Sequence, residues 1–170
     1  DALAALGIEP LQARLDDAAL NHALLRSPSG QALQLLEART FSPPALLPGH
    51  ASRLGYFEEF AWPASTTAFA EAQSFWESLG FVAFEAMSSP FDRIVASSRD
   101  VNIALYDIDL RSPVLVFSAP DMPSRIAELR DRGHRFASRV PRALAAIGGA
   151  VLEAPEGTAL LLVEEGSLDG

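Results

Sequence analysis

Three histidines, His22, His50 and His134, are the residues of this 170-residue chain whose side chains most readily move protons or hold metals. No two of them are four residues apart, so the helical His pair that grips zinc is absent. Cysteine is absent, which excludes disulfides, thiolate metal sites and thiol nucleophiles. Lysine is absent too: all 13 basic residues are arginine. A Schiff-base lysine, a phosphate-loop lysine and a Ser–Lys dyad are therefore impossible. Neither G-x-G-x-x-G nor G-x-S-x-G occurs. His22, in "NHALL", reads as a structural histidine on a strand; His50, in a proline-rich stretch, and His134, after a helix end, read as solvated. The all-arginine basic set reads as base-composition bias in the genome, not as chemistry.

The elements that would position any site are clearer. In "ASTTAFAEAQSFWESLGF", Ala68, Phe69, Ala72, Phe75, Trp76 and Leu79 form one apolar stripe of a helix. Ser65, Thr66 and Thr67 offer N-caps and Gly80 ends it. "GYFEEFAW" before it reads as a strand, and "FVAFEAM", "DRIVASS" and "VNIALYD" after it as three more. A second β-α-β-β-β unit follows. "PVLVFSA" is a strand, "DMPSRIAELRDRG" a helix with Asp121 as N-cap, and "RFASRVP" a strand or extended segment. "GGAVLEAP" and "TALLLVEE" form a hairpin around Pro-Glu-Gly. Strands are expected at 55–62, 81–87, 92–98, 101–107, 113–118, 135–140, 149–154 and 158–164, and helices at 66–79 and 121–132.

The chain also repeats itself. "LRSPSGQALQLLE" (Leu25 to Glu37) aligns without a gap on "LEAPEGTALLLVE" (Leu152 to Glu164), with seven identities in thirteen positions. Residues 1–40 thus read as the back half of a further β-α-β-β-β module, 41–53 as a linker holding three of the twelve prolines, and 54–166 as a complete two-module domain. The N-terminal strands are expected to pack on that domain or on a second copy, because a hairpin alone is not stable.

Composition sets outer bounds. An apolar fraction of 49% is enough for a core. With 22 acidic residues against 13 basic, the net charge of −9 argues against nucleic acid and anionic membrane as partners. No apolar run approaches the ~20 residues that span a bilayer. The opening "DALAALGIEP" carries no basic region of a signal peptide, so a cytoplasmic protein is expected.

The module pattern, "FWESLGF" and the two Pro-x-Gly turns resemble the vicinal oxygen chelate superfamily, which includes glyoxalase, bleomycin-resistance and extradiol-dioxygenase proteins. The resemblance covers essentially the whole chain and implies an α+β fold in which paired β-α-β-β-β modules form a cupped mixed sheet. It also implies that the chain is part of a longer two-domain protein. Members of the superfamily typically hold a divalent ion in the cup with a His on the first strand of each unit and a Glu on the last. Here those places hold Glu59, Val114, Ala104 and Leu161, and Gln34 matches Leu161 in the N-terminal repeat. One donor in four does not replace the waters of a metal ion, so the expectation is a cup with no metal and no other cofactor.

Alternation places Phe57, Glu59 and Ala61 on one face of their strand and Tyr56, Glu58, Phe60 and Trp62 on the other. The polar groups expected to line the cup and bind a ligand are Glu59, Arg93, Asn102, Tyr106 and Asp107. The leading expectation is a protein that binds a small organic molecule in an apolar cup, as a homodimer or against a preceding domain. One alternative is a metal-dependent lyase, isomerase or ring-cleaving dioxygenase whose metal lies in a preceding domain or is shared across a dimer. Another is a non-catalytic stabilising module.

Overall fold

A computed structural model describes residues 2–16, 21–37, 52–84, 86–99 and 101–169. The proline-rich stretch and His50 lie outside them. The chain begins with helix α1 (Ala2–Ala5) and strands β1 (Gln12–Arg14), β2 (His22–Arg26) and β3 (Ala32–Leu36). The first full module is β4 (Tyr56–Pro63), a 3-10 turn (Thr66–Ala68), α2 (Phe69–Ser78), β5 (Val82–Ala83), β6 (Arg93–Ser97) and β7 (Asn102–Tyr106). The second is β8 (Val114–Ala119), α3 (Met122–Asp131), α4 (Arg142–Ala146), β9 (Ala150–Glu153) and β10 (Ala159–Glu164).

Strands β1-β2-β3 form a small antiparallel sheet, and the other seven form a mixed sheet in the order β5-β6-β7-β4-β8-β10-β9. In each module the first strand pairs in parallel with the last, β4 with β7 and β8 with β10. The two first strands meet antiparallel at the centre. This is the expected α+β architecture of two modules sharing one sheet. Among the described residues no helix falls between 92 and 107, and none is long and apolar enough to cross a membrane.

The repeat is structural as well as textual. Ser27 N donates to Gln31 O and Gly30 N to Ser27 O; Ala154 N donates to Thr158 O and Gly157 N to Ala154 O. Leu25 pairs with Leu33 as Leu152 pairs with Leu160. Both turns place glycine at positive φ, 90° at Gly30 and 95° at Gly157, where a side chain would be strained. The small sheet buries Leu25 completely, and Leu33 packs against the core under α2.

Helices α2 and α3 cover the convex face. Phe69, Ala72 and Trp76 of α2 are buried against Ile94, Ile103 and Leu105, and Trp62 stacks on Trp76 at 6.2 Å. Burial of each large side chain there stabilises the fold by about 1.5–3 kcal/mol. Met122, Ile126 and Leu129 of α3 pack on Ala150, Leu152 and Leu162. The concave face carries a third cluster, in which Ala61, Ala104, Val114, Val116, Leu161 and Val163 from the sheet meet Leu144 of α4 and Leu168 near the C-terminus.

Four expectations need correction or refinement. Residues 135–140 are not a strand: Phe136 makes one bridge to Leu152, then the chain leaves for Pro141, which opens α4. Proline keeps the preceding residue extended and starts a helix readily, so the ladder ends and an unexpected helix begins. Among the described residues of 81–87, only Val82–Ala83 form a strand, with a further bridge from Met87 to Arg93, because this edge segment pairs on one side alone. Asp121 does stand at the N-cap of α3, but its side chain makes no cap bond; Arg125, one turn along, takes its carboxylate at 2.6 Å. Phe57 does not share a face with Glu59. A β-bulge between them makes Tyr56 pair with Ser118, Phe57 with Phe117 and Glu59 with Val116. Glu58 is the extra residue.

Candidate functional site

The concave face of β4 and β7 brings three of the expected residues together. Glu59, Arg93 and Tyr106 are 5%, 4% and 0% exposed. Tyr106 Oη donates a hydrogen bond to Glu59 Oε1. The tyrosine ring is held edge-on by Phe91, with centroids 4.8 Å apart. Arg93 Nη2 donates to the Leu168 carbonyl and to Met87 Sδ, and meets Asp169 Oδ1 at 3.8 Å. Its buried Nε has no partner among the described residues.

Burial raises the Glu59 pKa above its usual 4.5, with the Glu58 and Asp169 carboxylates adding to the rise; the Tyr106 hydrogen bond and the Arg93 guanidinium oppose it. Burial and the adjacent Glu59 hold Tyr106 well above its usual 10.0. The phenol therefore keeps its proton and acts as the donor, while burial favours the protonated form of the Glu59 carboxyl.

The other two expected residues are tied elsewhere. Asn102 Nδ2 donates to the Glu58 carbonyl at 3.0 Å and its Oδ1 accepts from Ser97 Oγ at 2.8 Å, fixing the bulge to β7. Asp107 Oδ2 accepts from Thr66 N at 3.1 Å, securing the start of the turn before α2. Sequence reasoning missed Glu58. The bulge swings its carboxylate to Ser118, whose Oγ donates to Glu58 Oε1. No pattern of alternation could have signalled that.

Do the residues fit a divalent metal? In the sheet, Glu59 lies opposite Val116, and Val116 opposite Leu161. Val116, rather than Val114, is thus the neighbour facing Glu59, and Ala104 sits opposite Ala61. Two of the three residues in that row offer hydrocarbon, and the third is engaged by tyrosine. Among the described residues no group of three His, Asp or Glu is placed to hold an ion. The donor set does not fit one.

Glu59, Arg93 and Tyr106 are all buried, and Tyr106 belongs to the same apolar cluster as Leu144 and Leu168. The open space on this face lies further along, beside α4. A cavity of about 720 Å³ has Val114, Val151 and Ala159 of the sheet and Leu110, Val140 and Ala143 among its apolar lining. Three segments wall it: 108–114 after β7, 135–143 between α3 and α4, and the β9–β10 hairpin. The middle wall is tied to β9 by Ala137 N donating to Val151 O and by Glu153 N donating to Arg135 O. Arg111, Arg135, Arg139 and Arg142 also line it. Arg135, Arg139 and Arg142 share one segment and Arg111 comes from another, and none was singled out from sequence.

No family model matches this chain, and no curated protein matches it. Solved structures do. A catechol 2,3-dioxygenase superposes with a TM-score of 0.56 at 12% identity, over 96% of this chain and 62% of its own. A Mn(II)-bound glyoxalase from Novosphingobium aromaticivorans gives 0.56 at 14%, over 98% and 57%. The 2,3-dioxygenase LapB from Pseudomonas sp. KL28 gives 0.53 at 15%, over 95% and 64%. The chain therefore spans less than two thirds of each of these proteins.

Proposed function

We propose, taking as premise that this chain has the vicinal oxygen chelate fold, that it binds a small organic molecule on the concave face of its sheet without a metal ion. The observation that carries this reading is the cavity beside α4. Its volume of about 720 Å³ lies in the range of small-molecule sites, roughly 300–1,000 Å³. Its lining sets an apolar floor beside six charged side chains, so it is more polar than most small-molecule sites but still offers hydrocarbon to an organic ligand.

The Glu59–Tyr106–Arg93 cluster supports the same reading from the other side. Where a metal-holding cup needs several converging donors, the row Glu59, Val116 and Leu161 has one carboxylate, and that carboxylate already has a tyrosine donor. The cluster then stands as a buried polar pin beneath the site, joining β4, β6, β7 and the C-terminal turn.

A calorimetric titration with naphthalene-sized aromatic compounds, neutral and ionised, tests the proposal. Saturable binding by any of them is expected, and Val151→Trp, which fills the floor, should abolish it while leaving a cooperative melting transition. Failure of every probe to bind saturably would remove this reading.

A further inference from the structure

We infer that the cavity beside α4 selects organic anions, a carboxylate or phosphate group carried on an apolar body; this rests on the reading of that cavity as a ligand site. The chain as a whole has a net charge of −9, yet four of its 13 arginines line this one concavity. Only two carboxylates, Asp109 and Glu153, line it with them, a local excess of two positive charges. Glu153 is already engaged, paired with Arg135 at 2.9 Å.

The other three are different. Arg111, Arg139 and Arg142 make no ion pair among the described residues, whereas Arg14, Arg53, Arg93, Arg125 and Arg132 each meet a carboxylate. Arg26, Arg99 and Arg130 also lack an ion pair there, but Arg26 donates to the Gly30 carbonyl, Arg130 lies over the Phe136 ring, and none of the three lines the cavity. In a chain with nine more acids than bases, three guanidinium groups without a carboxylate at one cavity leave a place for an anion from outside the chain. Like charges held at one mouth repel, and a bound anion relieves that repulsion. Guanidinium is also the side chain best shaped for the purpose, since its fork donates in parallel to two oxygens of a carboxylate or phosphate.

The positions of the arginines match an amphipathic ligand. Arg139 and Arg142 flank Val140 and Pro141, and Pro141 holds the turn in an extended conformation at φ −48°, ψ 140°. A proline-fixed turn loses little further freedom when a ligand docks. The floor beneath is Val114, Val151 and Ala159. An acid group at the arginine rim therefore leaves its apolar body over hydrocarbon. A bare inorganic anion would use only the rim.

Titration with three matched probes, 2-naphthoate, 2-naphthyl phosphate and 2-naphthamide, tests this. At least one anion should bind about tenfold or more tighter than the neutral amide, as charge-assisted bidentate contacts allow. The preference should shrink between about 50 mM and about 300 mM salt, because these arginines are exposed and screened. The paired substitution Arg139→Gln with Arg142→Gln should erase the preference, and Arg99→Gln, an exposed arginine outside the cavity, should not. Should the double variant fail to melt cooperatively, Arg111→Gln carries the same comparison. Equal affinity for amide and anions overturns the inference while leaving a ligand site. Inorganic phosphate binding as tightly as the naphthyl ester overturns the claim of an apolar body. If no probe binds the unaltered protein, the ligand-site reading fails and this inference falls with it.

Discussion

Tyr106 Oη donates to Glu59 Oε1 between neighbouring parallel strands, and both residues are buried. A carboxyl in that place keeps its proton at pH values where the unfolded chain has released it, because its folded pKa is raised above 4.5. The folded state then binds more protons, so stability falls as pH rises through the window above 4.5. Glu59→Gln keeps an acceptor for Tyr106 and cannot ionise. Its melting temperature should match that of the parent in acid and exceed it increasingly as pH rises. Parallel melting curves at every pH would show that Glu59 does not titrate differently in the two states.

Tyr106→Phe removes the phenol donor without changing the ring packed on Phe91. A buried acceptor left without its partner costs about 1–3 kcal/mol, and the cost is greater when the acceptor is charged. The variant should lose stability at neutral pH and lose less in acid, where Glu59 is protonated. Chemical denaturation at two pH values measures both.

Arg93→Met should free the C-terminal turn. Arg93 holds it through the Leu168 carbonyl and Asp169. Faster amide exchange at Ser167 and Asp169 is expected, together with a further rise in the Glu59 pKa, since the opposing guanidinium is gone. Unchanged exchange at both amides would show that the turn is held by Leu168 packing alone.

What sequence reasoning reached is what repeats with a fixed period. The stripe Phe69, Ala72, Trp76 and the Gly30 and Gly157 turns were legible because a helix face and a positive-φ turn each constrain residue type directly. The bulge at Glu58 was not, because alternation counts residues while the sheet counts hydrogen bonds. One extra residue moved Phe57 to the convex face and turned Glu58 toward Ser118. Glu59, Arg93 and Tyr106 were picked out as polar residues near a cup, and the structure brings them together, yet nothing in their spacing reports that all three are buried. The arginine-lined cavity was invisible for a similar reason: its walls come from three separate segments, 108–114, 135–143 and 151–159, and arginine alone carries no spacing rule.

Leu25→Ala should loosen the N-terminal sheet before the rest of the protein. Leu25 is fully buried in a strand whose neighbours β1 and β3 are largely exposed. Such truncations cost about 2–5 kcal/mol, more than three short strands can absorb. Trypsin should then cut after Arg26 well before global unfolding, because cleavage follows local opening. Resistance at Arg26 equal to that of the parent would show that Leu33 and the core under α2 hold the sheet without Leu25.

Metal removal should change nothing. A divalent ion entering beside Glu59 would exchange its waters for one carboxylate flanked by Val116 and Leu161, and would have to displace the Tyr106 hydrogen bond to reach it. Ions lose several kcal/mol on such desolvation unless further donors replace the water. Exhaustive treatment with a chelator should therefore leave the melting temperature and the naphthalene-probe affinity unchanged. Elemental analysis of protein purified without chelator should find no stoichiometric manganese, iron or zinc, and Glu59→Gln should give the same result. Stoichiometric metal that Glu59→Gln removes would show that side chains outside this row swing in to complete the shell, and would place metal chemistry back on this face.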